Sequence, residues 1–382
     1  MNQFSFTIPQ NITVGAGSLS KLPELAKKLE KHKAYIISGP HLNKIGMVAK
    51  CEKALKEAGI ESASFTETEG NPSTETVEKA TKGFQDSKAD FIVAFGGGSP
   101  LDVAKAVAVV ATYGGDITSY EGGGKVPGPV VPMIAIPTTA GTGSEVTAFS
   151  VITDHSRNYK LTVVSNYLLP SYAILDPELI STVPQNTAAA CGIDAMVHAL
   201  EAFISKAASP FSDLFAKEAL RLIGGSIRSY VADRSNLDAC ESMLIGSLFA
   251  GIAFSHARLG DVHAMSHPVS AYFDVPHGVA NAILLPTVVE YNMDDAKDKY
   301  EYIYNCICEA KSPDIVFAPE MLAAEIRVLN DELGIPSSLS DVGVDSTQFD
   351  KMADDAMKSG NIQVNPRFTT KKDILKLYEQ AF

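Results

Sequence analysis

The first half of the chain alternates short apolar runs with segments of helical periodicity. Ala34-Tyr-Ile-Ile-Ser, Ser62-Ala-Ser-Phe, Ala89-Asp-Phe-Ile-Val-Ala-Phe and Met133-Ile-Ala-Ile read as buried strands. Helices are expected between them, near 48–59, over 73–86 behind a Ser or Thr cap, and over 100–112. Strands separated by helices predict a parallel sheet covered on both faces. After Pro184 the pattern changes. Residues 187–206, 213–232, 237–254, the His-rich stretch, 300–310, 320–333 and 374–382 all read as helix, with few strand signals between them. The expected architecture is a Rossmann-like α/β domain over 1–184 followed by an all-helical domain over 185–382.

Four of the eight histidines fall in one stretch, His256-Ala-Arg-Leu-Gly-Asp-Val-His263-Ala-Met-Ser-His267 through Pro276-His277-Gly278. Upstream, Asp194-Ala-Met-Val-His198 places a carboxylate and an imidazole one helical turn apart, as His263 and His267 also are. Glu201 shares the Asp194 face but is expected to be solvated or paired. Three imidazoles and one carboxylate fill most of the coordination shell of a divalent transition ion and leave a position for substrate. The pattern selects Asp194, His198, His263 and His277 as ligands; His256 and His267 fit less well. The His-Glu-x-x-His glutamate of zinc peptidases is missing.

Two loops follow predicted strands. Gly96-Gly97-Gly98-Ser99-Pro100 opens a helix, where close backbone approach and free N–H groups suit a diphosphate. Pro137-Thr138-Thr139-Ala140-Gly141-Thr142-Gly143-Ser144-Glu145 carries four hydroxyls. Ligands of open α/β sheets bind at the carboxyl ends of the strands, and a dinucleotide would use both loops.

Composition narrows the partners. At 382 residues, with 46% hydrophobic and 20% charged content, the chain can bury two cores. Its net charge of −13 argues against nucleic acid or an anionic membrane. No segment reads as a targeting or membrane element. The most apolar stretch, around 101–112, is interrupted by Asp102 and Lys105, and a cytoplasmic protein is expected. Five scattered cysteines fit free thiols in a reducing compartment.

The chain resembles the iron-dependent (type III) alcohol dehydrogenases over nearly its whole length. The likeness rests on Val14-Gly-Ala-Gly-Ser-Leu, Asn71-Pro-Ser, Gly96-Gly-Gly-Ser-Pro-Leu-Asp102-Val-Ala-Lys and Pro137-Thr-Thr-Ala-Gly-Thr-Gly-Ser-Glu-Val. It continues in Asp194-Ala-Met-Val-His198-Ala-Leu-Glu201, His263-Ala-Met-Ser-His267, Pro276-His-Gly and Asn365-Pro-Arg. The resemblance implies a dinucleotide-binding N-terminal domain and a helical domain holding Fe²⁺, with Zn²⁺ or Mn²⁺ as alternatives, on Asp194, His198, His263 and His277. It also implies an NAD or NADP site at Asn71, Gly97, Gly98, Ser99, Thr138, Thr139, Thr142 and Lys160. Gly39, Asp102, Ser144, Phe149, Val151 and Leu179 are assigned to the same site. Members are usually dimers or larger assemblies. Metal and nicotinamide together imply interconversion of a small aldehyde and its primary alcohol, with His263 and His267 as catalytic residues and His267 relaying the proton.

Departures from the family pattern bear on specificity. Gly39 stands where many members carry an Asp that would repel a 2′-phosphate, so NAD is only slightly favoured. His256, Arg258 and Asp261 replace small, amide or aromatic residues, and Ser359-Gly-Asn361-Ile-Gln363 stands where Asp and Cys are common. With Phe254, Arg258 and Asn361 as substrate contacts, a polar aldehyde is expected: lactaldehyde, 3-hydroxypropanal, glycolaldehyde or an anionic one such as sulfoacetaldehyde, with simple alkanals also compatible. A dehydroquinate synthase-like lyase and a non-catalytic sensor are the readings from other classes.

Overall fold

A computed structural model of the chain describes residues 4–6, 8, 10–309 and 316–382. These residues form two compact units. One comprises Ile8–Thr139 and Gly143–Thr182; the other takes Val183–Phe382 together with Ala140–Thr142 and the start of the chain. A single cut at 184 was expected, whereas three residues of the hydroxyl-rich loop group with the helices.

The α/β unit is built on strands β1 (Asn11–Val14), β2 (Lys33–Ile37), β3 (Glu61–Phe65), β4 (Phe91–Gly96), β5 (Gly122–Gly123), β6 (Met133–Pro137), β7 (Phe149–Asp154), β8 (Tyr159–Val164) and β9 (Tyr172–Leu175). Six of them make one sheet in the order β1-β9-β6-β4-β2-β3, parallel throughout. Helices α1 (Leu22–Lys28), α2 (Pro40–Lys44), α3 (Met47–Glu57), α4 (Thr74–Ser87), α5 (Gly98–Tyr113) and α6 (Pro177–Ile180) complete the unit. Successive residues of β2 enter opposite cores: Ala34 and Ile36 join Val48 and Leu55 of α3, while Tyr35 and Ile37 join Val77 and Phe84 of α4. Burial on both faces explains why these strands read as continuous apolar runs.

The sequence pattern missed β1, β9 and the β7–β8 hairpin. β1 exposes both its ends. The hairpin turns through His155–Asn158 without a glycine, Asn158 itself taking the left-handed conformation (φ 48°).

The second unit consists of α7 (Gln185–Ile204), α8 (Pro210–Ala232), α9 (Leu237–Ala257), α10 (Asp261–Phe273), α11 (His277–Ile307), α12 (Glu320–Glu332), α13 (Phe349–Lys358) and α14 (Lys371–Gln380). The His-rich stretch falls on three helices: His256 lies in the last turn of α9, His263 and His267 on α10, and His277 begins α11 after a break at Asp274 (φ 54°). The expected turn at Pro276-His277-Gly278 is instead the first turn of α11, and Tyr300 continues that helix rather than starting another. The expected end at Ala310 lies outside the described residues. Contrary to the sequence reading, α7 and α9 are long and apolar enough to cross a membrane, with mean hydropathies of 1.3 and 1.5. Their apolar windows are 83% and 67% buried, so packing within the bundle accounts for the apolarity. α13 escaped prediction because alanines supply much of its buried face, Phe349, Met352, Ala353 and Ala356. No cysteine forms a disulfide among the described residues.

Candidate functional site

Residue spacing on three helices builds the centre. Asp194 and His198 lie one turn apart on α7, His263 sits in the first turn of α10, and His277 begins α11. Their side chains converge. Asp194 Oδ1 lies 3.9 Å from His198 Nε2, 3.8 Å from His263 Nε2 and 3.9 Å from His277 Nε2. Among the described residues, Asp194, His263 and His277 each offer one ligand atom within 4.8 Å of the others. The His198 ring stacks on His263 at 4.6 Å.

The outer nitrogens of two rings are already committed. Glu201, one turn beyond His198 on α7, accepts a hydrogen bond from His263 Nδ1 at 2.6 Å, and the Gly141 carbonyl faces His198 Nδ1 at 3.2 Å. A carboxylate and a carbonyl only accept, so each ring carries its proton on Nδ1 and directs the Nε2 lone pair inward. Burial also drives the His263 imidazole well below its ordinary pKa, which keeps it neutral. Inward lone pairs with oriented outer nitrogens are what a histidine metal site requires, so this donor set fits a divalent cation.

Sequence reasoning undervalued Glu201. Of the two outcomes expected for it, solvated or paired, it is the paired one: 2% exposed, it also accepts from Val262 N–H at 2.7 Å, joining α7 to the start of α10. Desolvation raises its pKa to about 7. Asn281, absent from the sequence-based selection, directs its side-chain nitrogen at the same donors. Both lie on the faces of helices that carry the cluster, Glu201 seven residues after Asp194 and Asn281 four after His277, and that spacing was the available signal. Asn365 of the Asn-Pro-Arg motif exchanges amide hydrogen bonds with Asn292 and accepts from Asp261 N–H, fixing the first turn of α10.

The remaining predicted positions separate. Phe254 stacks on the opposite side of His198, ring centroids 4.5 Å apart, and so holds that ring flat. His267 is half-buried, 5.2 Å from the His277 ring. His256 packs instead on Phe6 at 4.1 Å. Arg258 is exposed and left-handed (φ 62°), its guanidinium lying over Gly360, next to half-buried Asn361.

In the α/β unit, Gly97 caps α5 and Gly98 and Ser99 open it. A Cβ at Gly97 would sit 3.2 Å from Thr139 Oγ1, so the two loops touch, and Thr138 N–H donates to the Gly96 carbonyl at 2.9 Å. Asn71, left-handed at φ 51°, accepts from Lys160 Nζ at 2.7 Å. Gly39 caps α2. Leu179 belongs to the apolar core beneath the sheet, and Thr142 groups with the helical unit.

Asp102 and Ser144 turn toward each other. Ser144 Oγ donates to Asp102 Oδ1 at 2.7 Å, and Val151 N–H donates to Asp102 Oδ2 at 3.1 Å. Beneath them lies Lys105, fully buried, donating to Ser144 Oγ, Thr147 Oγ1 and the Phe149 carbonyl. Burial lowers its ammonium to about 8 and raises neighbouring Glu145 to about 7. One lysine thus ties α5 to the hydroxyl-rich loop and to β7.

Comparison with known proteins shows the family. Residues 9–177 match the family model "Iron-containing alcohol dehydrogenase", and residues 188–382 match "Fe-containing alcohol dehydrogenase family, C-terminal". A 1,3-propanediol dehydrogenase of Citrobacter freundii is 40% identical over 99% of both chains, and an NAD-dependent methanol dehydrogenase of Bacillus methanolicus is 34% identical over 99% of both. The crystal structure of a 1,3-propanediol oxidoreductase superposes with a TM-score of 0.94 at 39% identity, covering 100% of each chain. Matches that run the length of both halves establish that this chain belongs to the iron-containing alcohol dehydrogenase family.

Proposed function

We propose that the chain interconverts a short hydroxylated aldehyde, such as 3-hydroxypropanal, and its primary alcohol, using NAD(H) and an iron(II) ion held by Asp194, His198, His263 and His277. The observation that carries this reading is the convergence of three Nε2 lone pairs on Asp194 Oδ1, with two of the rings oriented from outside by Glu201 and the Gly141 carbonyl. Such a cation supplies Lewis-acid stabilisation of the charge that develops on the substrate oxygen, and the nicotinamide supplies or receives the hydride. The chain's own residues do the rest. Glu201 keeps the His263 proton on Nδ1, and Phe254 prevents the His198 ring from turning. His267, half-buried beside His277, passes the hydroxyl proton toward solvent, work for which imidazole is suited at neutral pH. In the α/β unit the N-terminus of α5 receives the diphosphate, with Asn71, Ser99, Thr138, Thr139 and Lys160 as further contacts.

The family supports iron, and a relative named for NAD dependence supports NAD. Relatives named for propanediol, matched along their whole length, support a hydroxylated three-carbon substrate. Family membership removes the lyase and sensor alternatives.

The direct test follows NADH oxidation with 3-hydroxypropanal before and after chelation. Chelated protein is expected to lose nearly all activity with an unchanged circular dichroism spectrum and to regain it with Fe²⁺. Full activity in folded, metal-free protein would overturn the proposal.

Cofactor choice has its own test. Gly39 adopts an ordinary extended conformation (φ −102°, ψ 166°), and a Cβ there would lie 3.2 Å from the Thr68 carbonyl, a contact that a small local shift relieves. Gly39→Asp is expected to raise the NAD-over-NADP ratio of kcat/KM by about tenfold or more, the effect of one charged hydrogen bond gained or one repulsion added. An unchanged ratio would refute this account of the loop.

A further inference from the structure

Asn281 sits on α11 one turn after His277 and is completely buried. Its Nδ2 lies 2.7 Å from Asp194 Oδ1 and 3.2 Å from both His263 Nε2 and His277 Nε2. An amide nitrogen has two hydrogens, so it cannot serve three acceptors at once. The other end of the same amide, Oδ1, is buried and accepts no hydrogen bond among the described residues. A buried carbonyl left in this way is unfavourable, and half a turn about χ2 exchanges the two ends with almost no change in shape.

Building on the metal reading above, we infer that Asn281 sets the cation preference of the cluster by turning its amide. The NH₂ end faces the donor atoms when their lone pairs are available, and the Oδ1 end faces a bound cation. A cation engages those same lone pairs and repels the N–H groups, which removes the reason for the first orientation and favours the second. A fifth donor of neutral oxygen character suits ions that take more than four ligands, Fe²⁺ and Mn²⁺, over Zn²⁺, which is satisfied by four. Asn281 therefore acts as a positioning and selecting residue beyond the four ligands.

The test titrates chelator-stripped protein with Mn²⁺ and Zn²⁺ against a chromophoric competitor and records the visible spectrum of the Co²⁺ form. Asn281→Leu, close in volume and without polar atoms, is expected to weaken Mn²⁺ binding by about tenfold or more and Zn²⁺ binding by less than about threefold. Its Co²⁺ band should intensify, as fewer ligands surround the ion. Asn281→Asp keeps an oxygen at the same place and is expected to hold Mn²⁺ at least as well, relative to Zn²⁺, as the native protein. Equal weakening of both ions, or no change in either, with an unaltered Co²⁺ spectrum would overturn the inference. If Asn281→Leu does not fold, Asn281→Asp decides: a fall in Mn²⁺ relative to Zn²⁺ overturns it. Native protein that binds neither ion, or His277→Ala protein that binds both undiminished, would instead refute the underlying metal site.

Discussion

His263→Ala abolishes aldehyde turnover, by about a thousandfold or more, while leaving dinucleotide affinity largely intact. The expectation follows from the position of His263 at the centre of the cluster, 1% exposed, between Glu201 and Asp194. Losing a proposed ligand would remove several kcal/mol of charge stabilisation in the transition state, and each ~1.4 kcal/mol is a factor of ten in rate. The proposed nucleotide contacts on the other unit are not altered by the substitution. Enhancement of NADH fluorescence reads binding directly. Parallel loss of binding and turnover would assign His263 a structural role instead.

Gly278→Ala is expected to produce the largest loss of stability among conservative changes near the site. A Cβ at Gly278 would overlap the Ala190 carbonyl oxygen and lie 2.7 Å from the carbonyl carbon, both of them backbone atoms of α7 that cannot rotate aside. The start of α11 must then move away from α7, carrying His277 away from Asp194. Overpacking of this kind costs about 2–3 kcal/mol, which for a chain of this size lowers Tm by roughly 2–4 °C. Metal affinity should fall with it. Gly225→Ala, at an exposed position of α8 with no described atom within 4 Å of the added Cβ, is the control and should gain up to about 1 kcal/mol from helix propensity. Equal melting temperatures for the two variants would show that the α7–α11 approach is not tight at Gly278.

The sequence made much of this centre legible, for an identifiable reason. Asp194 with His198 and His263 with His267 recur at helical spacing, and rare residue types at a fixed period stand out against apolar helices. Strands β2, β4 and β6 were equally plain, because burial on both faces leaves uninterrupted Ile, Val and Ala. Less visible were groups whose meaning depends on tertiary contact. Glu201 looks like any helical glutamate until α10 packs over it. Lys105 reads as a surface break in an apolar helix, yet it is fully buried beneath a loop some forty residues later. Asp102 and Ser144 were assigned to the nucleotide from their loops alone, and the hydrogen bond that joins their side chains was not legible. Apolarity itself misled in one respect: α7 and α9 satisfy the length and hydropathy of a membrane span, and only their packing distinguishes them from one.

The Ala140–Thr142 triplet, which belongs by contact to the helices although it precedes them by some forty residues, restricts how this protein could be recombined. A chimera spliced at the obvious seam before α7 would inherit His198 from one parent and the carbonyl that fixes its tautomer from the other. Only exchanges that carry the triplet along with its bundle would preserve that pairing by descent, so productive crossovers within the family should respect an inheritance unit that is discontinuous in the gene.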